Sequence, residues 1–418
     1  MKKILSIIIF LVLILMISAT SINAFSIGEN DLSLENNEIK SIPFANVYVD
    51  DDNVQGPWDG SFTHPYRNIQ DAIDNAYERD LIFVYNGTYY ENLIINKSIK
   101  LKGEDKEITI IDANFADNPM WIKKSNVSIR EFKIINSNLD LFSSGIKVTS
   151  KIWIPPGEQK TIISDISISN CILENNDAGI RLDNVNVARI SNCIFKNNFA
   201  RSIYILNADN LTITNCEIHD NGAIVQDGQY PGGIGVSDNP LFGDESNFVE
   251  ISYCNVTNNI GHGIGIFSNS SNIEIHHNTI SKNTYNGIFV SRIVNRNIII
   301  NNNVVSKNGN FYFFRGGIVL QDCHNCVTIK NNIISSNDIY GVYLLRSSGN
   351  VILENNFINN NISASFKYKS SNFCNIWNKN YWDRPRLLPK AIFGFLFEEN
   401  SIPWVEFDWH PAKNPYAI

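Results

Sequence analysis

Along most of this chain, apolar residues alternate with polar ones in runs of a few positions, each run broken by Asn, Asp or Gly. Period-two alternation gives a strand one buried face, and runs this short do not build amphipathic helices. The runs recur. Eight segments align: ISISNCILENN from Ile166, ARISNCIFKNN from Ala188, LTITNCEIHDN from Leu211, VEISYCNVTNN from Val249, IEIHHNTISKN from Ile273, IIINNNVVSKN from Ile298, VTIKNNIISSN from Val327 and VILENNFINNN from Val351. Most successive copies start 22 to 25 residues apart, the longer steps contain insertions, and a weaker ninth copy starts at Val127.

Reading down the columns turns the repeat into a shape. One apolar column runs Ile168, Ile190, Ile213, Ile251, Ile275, Ile300, Ile329, Leu353, and another runs from Leu173 to Ile358. Between them, Cys171, Cys193, Cys216 and Cys254 share a position with Asn278, Asn303, Asn332 and Asn356, and each copy ends in Asn, from Asn176 to Asn361. A further strand follows, as in Gly179-Ile180-Arg181-Leu182 and Gly263-Ile264-Gly265-Ile266. Three short strands per repeat, with identical residues stacked about 4.8 Å apart, describe an all-β, single-stranded parallel β-helix of about nine coils. Asn suits the bends because it tolerates left-handed backbone and its amide bonds the coils above and below. The shared column predicts buried, unbridged thiols. It also predicts that Asn303→Cys is mild while Ile275→Asn is severe.

The ends of such a stack have to be covered. Pro65 to Ala76 reads as an amphipathic helix with Ile69, Ala72, Ile73 and Ala76 as its apolar stripe, and strands begin at Leu81 to Tyr85. At the far end an aromatic tail, Trp377, Tyr381, Trp382, Trp404, Phe407 and Trp409, is expected to seal the last coil. At the start, Lys2 and Lys3 precede an apolar run from Ile4 to Ile17 and a small-residue cleavage site, Ser21-Ile22-Asn23-Ala24, the layout of a secretory signal peptide. The expected organisation is a signal peptide over 1–24, a flexible stretch over 25–45, an N-terminal cap over 46–80, the β-helix over 81–376 and the Trp-rich cap over 377–418.

Charge changes the picture little. The net charge is −8 and no Lys/Arg cluster stands out, which argues against a nucleic-acid partner. No apolar stretch after the first 24 residues is long enough to span a membrane.

The repeat core from Val127 to Phe366, the opening from Asn46 to Asp74, the segment NGTYYENLIINKSIKLKGE from Asn86 and the closing Asn380-Tyr381-Trp382-Asp383 resemble right-handed parallel β-helix repeat proteins. The resemblance is to the NosD-type and carbohydrate-binding/sugar-hydrolase group of the pectate-lyase-like superfamily, and the opening also resembles exported archaeal surface proteins. It implies the right-handed fold, whereas its members range from lyases and hydrolases to adhesins and accessory proteins. Gly261-His262-Gly263 is similar to a polygalacturonase motif, but the partner motifs are missing and Gly263 fills the corner-Gly column. No acidic column suits the Ca2+ of a pectate lyase. His219, His276 and His277 fall in different columns, and Cys323-His324-Asn325-Cys326 is at most half a zinc site.

Insertions point to the functional surface, because loops leaving a rigid scaffold carry added function. Two leave the same corner: Gly222 to Gly232, with Asp227 and Tyr230, and Gly309 to Gly316, with Phe311, Tyr312, Phe314 and Arg315. They lie three coils apart, about 14 Å, and the coils between present His262, Tyr285 and Asn286. The expectation is a trough in which these nine residues are the ligand-binding candidates. The protein would then be exported or displayed at the cell surface and bind polysaccharide or a surface partner. Two alternatives stay open: a polysaccharide lyase or glycoside hydrolase, or a NosD-type accessory protein. No catalytic residue is assigned, and no metal or cofactor is expected except Ca2+ in the lyase reading.

Overall fold

The computed structural model describes residues 45–140, 143–150, 161–223, 232–237, 246–268, 270–309, 316–368, 374–396 and 401–418. Each coil gives one strand to each of three sheets, of 13, 13 and 12 strands. The first sheet runs from Val47–Val49 and Leu81–Val84 to Ile376–Asn378, and the second from Gly87–Tyr89 to Tyr381–Trp382. The third runs from Leu93–Ile95 to Lys390–Leu396 and is closed by the antiparallel strand Ile402–Asp408. Among the described residues this makes twelve complete coils, not about nine. The additional coils begin at Leu81, Lys100 and Ile376, where spacing and composition depart from the repeat. No helix among the described residues is long and apolar enough to cross a membrane.

The apolar columns form the core. Ile168, Ile190, Ile213, Ile251, Ile275, Ile300 and Ile329 pair in direct register. The next member is Ile352 rather than Leu353, and Phe357 rather than Ile358 stands opposite Ile334. The last copy is therefore shifted by one residue, and Asn355 and Asn360 take the positions expected for Asn356 and Asn361. The tandem Asn pairs fit the corners equally well in either register. Burial of the large Phe357 side chain favours the observed one.

Corner residues bind coil to coil. Asn303 donates Nδ2 to Ile275 O at 2.8 Å, and its Oδ1 accepts the Asn278 backbone N–H at 3.0 Å. The pattern repeats from Asn278 to Asn380. In the earlier coils the same position holds free, buried thiols, and Cys193, Cys216 and Cys254 reach the corresponding carbonyls at only 3.8, 3.9 and 3.8 Å. Burial pushes the Cys193 thiol pKa far above its usual range.

Both ends are finished by carboxylates as well as apolar groups. The helix α1 spans Ile69–Asn75, shorter than expected, with Ile69, Ala72 and Ile73 buried. Pro65 does not open it. Instead, Glu91 accepts the Ile69 and Gln70 backbone N–H groups at 2.7 and 2.8 Å. At the far end Trp377 and Trp382 are buried, but Trp404 and Trp409 are 43% and 63% exposed, so the tail does not seal as a block. Two acids of the last strand complete the closure. Asp408 Oδ2 accepts from Asn380 N at 2.8 Å and Trp382 Nε1 at 3.0 Å, and Glu406 accepts from Asn375 N at 3.1 Å and Trp377 Nε1 at 2.6 Å. Each carboxylate thus ends a ladder that would otherwise leave donors unpaired.

Candidate functional site

Of the nine candidates, Asp227, Tyr230, Phe311, Tyr312, Phe314 and Arg315 lie outside the described residues, as does the signal segment. His262, Tyr285 and Asn286 are described, and the structure brings them together at the start of neighbouring third-sheet strands. His262 is buried and stacks on Phe289, with ring centroids 4.5 Å apart and planes 10° from parallel. Tyr285, half-buried, stands 5.7 Å from the imidazole. Asn286 is a positioning residue: its Oδ1 accepts the Gly316 N–H at 2.9 Å, and its own N–H points to His262 Nδ1 at 3.4 Å.

The outer face around His262 contains residues that sequence reasoning missed. Third-sheet register puts Trp121, Lys147, Arg181, Tyr204, Gly235, Gly265 and Phe289 in one outward column. A neighbouring column holds Arg201, Gly232 and His262. Two glycines in successive coils, Gly235 and Gly265, follow the basic wall of Lys147 and Arg181 and interrupt the column of outward side chains. Tyr204 and Phe289 bound this gap three coils apart, about 14 Å.

Neighbouring side chains lean into the gap. A Cβ at Gly235 would stand 2.9 Å from Arg201 Cδ and 3.0 Å from Nε, so the guanidinium stem lies across that glycine. A Cβ at Gly265 would meet the Phe267 ring at 2.5 Å. Together with His262 they line a depression with about 10 Å³ of free space, room for one water, so a larger ligand has to lie on these side chains.

The cations of the basic wall are held in different ways. Arg181 pairs with Asp183 at 2.9 Å. Arg201 instead lies 4.4 Å from the Tyr204 ring centre, and burial, with a smaller effect from the like charge of Arg181, pushes its pKa down. Lys147 is held down for the same two reasons and lies 5.6 Å from the Trp121 ring centre. An anion placed here would restore what burial has taken from both cations. At the edge of the same sheet, burial pushes the Asp177 carboxyl up to about 7, against the opposing pull of Arg181. Among the described residues no group of three or more His, Cys, Asp or Glu is placed to hold a metal.

A family model described as right handed beta helix region matches residues 159–314 and 242–383, more than half of the chain. Among solved structures, the chain is similar to the Azotobacter vinelandii mannuronan C-5 epimerase AlgE6 A-module, with 15% identity, 76% of this chain and 95% of that one covered, and a TM-score of 0.57. It is also similar to the Agl-KA catalytic domain, with 14% identity, 90% and 70% covered, and a TM-score of 0.55. The Dettilon tailspike protein gives 15% identity, 78% and 70% covered, and a TM-score of 0.53. At these identities the likeness is one of fold. No curated protein matches the chain.

Proposed function

From a chain that belongs to the right-handed β-helix family, we propose a protein that binds an acidic polysaccharide along the outer face of its third sheet. One observation carries the reading: Arg201, paired with no carboxylate among the described residues, lies across Gly235 beside His262, in a gap walled by Tyr204 and Phe289. Aromatic rings offer stacking faces for sugar C–H groups, and a desolvated guanidinium favours a carboxylate or sulfate. The insertions with Asp227, Tyr230 and Phe311 to Arg315 precede Gly232–Ser237 and Gly316–Gln321 in the sequence and are proposed to complete the site. The expected export signal over residues 1–24 agrees with a ligand met outside the cell, and one fold neighbour is a mannuronan C-5 epimerase module.

The test is binding of polygalacturonate, alginate and uncharged dextran to the full chain and to Arg201→Ala. The expected result is salt-sensitive binding of an acidic polymer, weakened about tenfold or more by the substitution, with dextran unbound. Equal binding of dextran, or an unchanged affinity in the variant, contradicts the reading. A second reading, chain cleavage, has the raised Asp177 carboxyl in its favour, since a general acid needs a pKa near the working pH. It predicts shorter products from the same polymers and loss of turnover in Asp177→Asn.

A further inference from the structure

The first sheet carries a separate cluster at the corner leading to the second. Before each ladder residue the backbone is left-handed, and Asn170, Asn192, Asn215, Asn302 and Asn331 occupy that position with φ between 50° and 55°. In two neighbouring coils Asn is replaced by rings, Tyr253 at φ 54° and His277 at φ 55°. Asn accepts this conformation far more readily than aromatic residues do. The two rings stack with centroids 5.0 Å apart, and His276 meets the same tyrosine edge-on at 5.9 Å.

The hydrogen bonds assign the protons. His276 Nε2 lies 3.1 Å from Glu250 Oε1, and a carboxylate there only accepts, so this nitrogen carries the hydrogen. Its Nδ1 is then a lone pair. His277 Nδ1, 2.8 Å away, donates to it, and His277 Nε2 accepts from Asn302 Nδ2 at 3.4 Å. A single proton separates two imidazole nitrogens whose rings are held from behind by Glu250, Asn302 and Tyr253.

We propose that His276 and His277 form a chelating site for a divalent late first-row metal ion, Cu2+ foremost, bound through both Nδ1 atoms with water completing the shell. Bonds of about 2.0 Å at a right angle place two imidazole nitrogens about 2.8 Å apart, whereas a tetrahedral ion requires about 3.3 Å. The observed separation of 2.8 Å matches the first, the geometry Cu2+ and Ni2+ adopt more readily than Zn2+. On binding, the His277 proton moves from Nδ1 to Nε2, where the turned Asn302 amide accepts it, so no proton is lost. Glu250 is a positioning residue: it holds the His276 tautomer that presents Nδ1.

The test titrates the full chain with Cu2+ in competition with glycine and records the electron paramagnetic resonance spectrum of the bound ion. The expected result is one tightly held ion showing two imidazole nitrogens. His277→Asn, which restores the repeat's own corner residue, and His276→Ala each weaken binding more than tenfold. Glu250→Gln weakens it about tenfold while keeping the two-nitrogen spectrum. His219→Asn, whose ring pairs with Asp220, leaves binding unchanged. Thermal unfolding of each variant separates lost binding from lost fold. Undiminished binding in the His276→Ala, His277→Asn double variant, or a spectrum without two imidazole nitrogens, overturns the proposal.

Discussion

The corner between the first and second sheets and the outer face of the third sheet belong to the same coils and follow opposite rules. At the corner one position is Asn from Asn278 to Asn380, and each amide completes its neighbour's hydrogen bonds. On the outer face one column passes through Trp121, Lys147, Arg181, Tyr204, Gly235, Gly265 and Phe289, turning from aromatic to basic, back to aromatic, to bare glycine and to aromatic again. Repetition serves a contact that every coil makes with the next. Variety serves something that touches several coils at once and differs along its length. That difference separates the part of the molecule that holds it together from the part available for recognition.

Substitutions sharpen the contrast, beginning with the core beside the corner. Ile275→Asn removes a fully buried side chain and buries an amide with no arranged partner, and is expected to cost about 3–5 kcal/mol in denaturant unfolding. Asn303→Cys comes next. The hydrogen bonds argue for more than the mild effect expected, because Asn303 lies mid-ladder and its loss takes the amide acceptor from the Asn278 N–H and the amide donor from Ile275 O. The expected cost is about 1–3 kcal/mol. A loss as small as that of Cys216→Ala would mean that the ladder is not cooperative.

The pH dependence of stability gives a smaller, signed effect at the edge of the recognition face. The Asp177 carboxyl is held at about 7, above its ordinary 3.8, so its protonated form favours the fold. Its stabilisation is complete below about pH 4 and is lost as pH rises through 7. Asp177→Asn should therefore flatten the decline in stability over that range, read from melting temperatures at stepped pH. An unchanged slope would mean that the carboxyl is solvated. The smallest change is expected for Cys216→Ala, about 1 kcal/mol, because the thiol reaches its carbonyl only at 3.9 Å.

The corner was readable from the sequence because a residue needed by every coil appears at a constant interval. Reading failed where the sequence offered two registers, at Asn355-Asn356 and Asn360-Asn361, and only the packing of Phe357 separates them. It also undercounted the coils, since those beginning at Leu81 and Lys100 lack the repeat's corner residues. The outer face was far less legible. Arg181 and Gly265 stood in view as parts of apolar alternations, but nothing in one dimension connects Arg201 with Gly235 and His262. Their meeting depends on third-sheet register across two coils. The signal that would have drawn attention to them is a glycine in the outward column of two successive coils, where a side chain is otherwise the rule.

The central claim is that the varied outer face, and not the uniform corner, meets the ligand. Hydroxyl-radical footprinting of the full chain, with and without a saturating acidic oligosaccharide, tests it directly. The account predicts protection of Tyr204, Phe267, Tyr285 and Phe289 on the third sheet, with exposed Tyr253 on the first sheet labelled equally in both samples. Protection of Tyr253 while the third-sheet aromatics stay unchanged would contradict it.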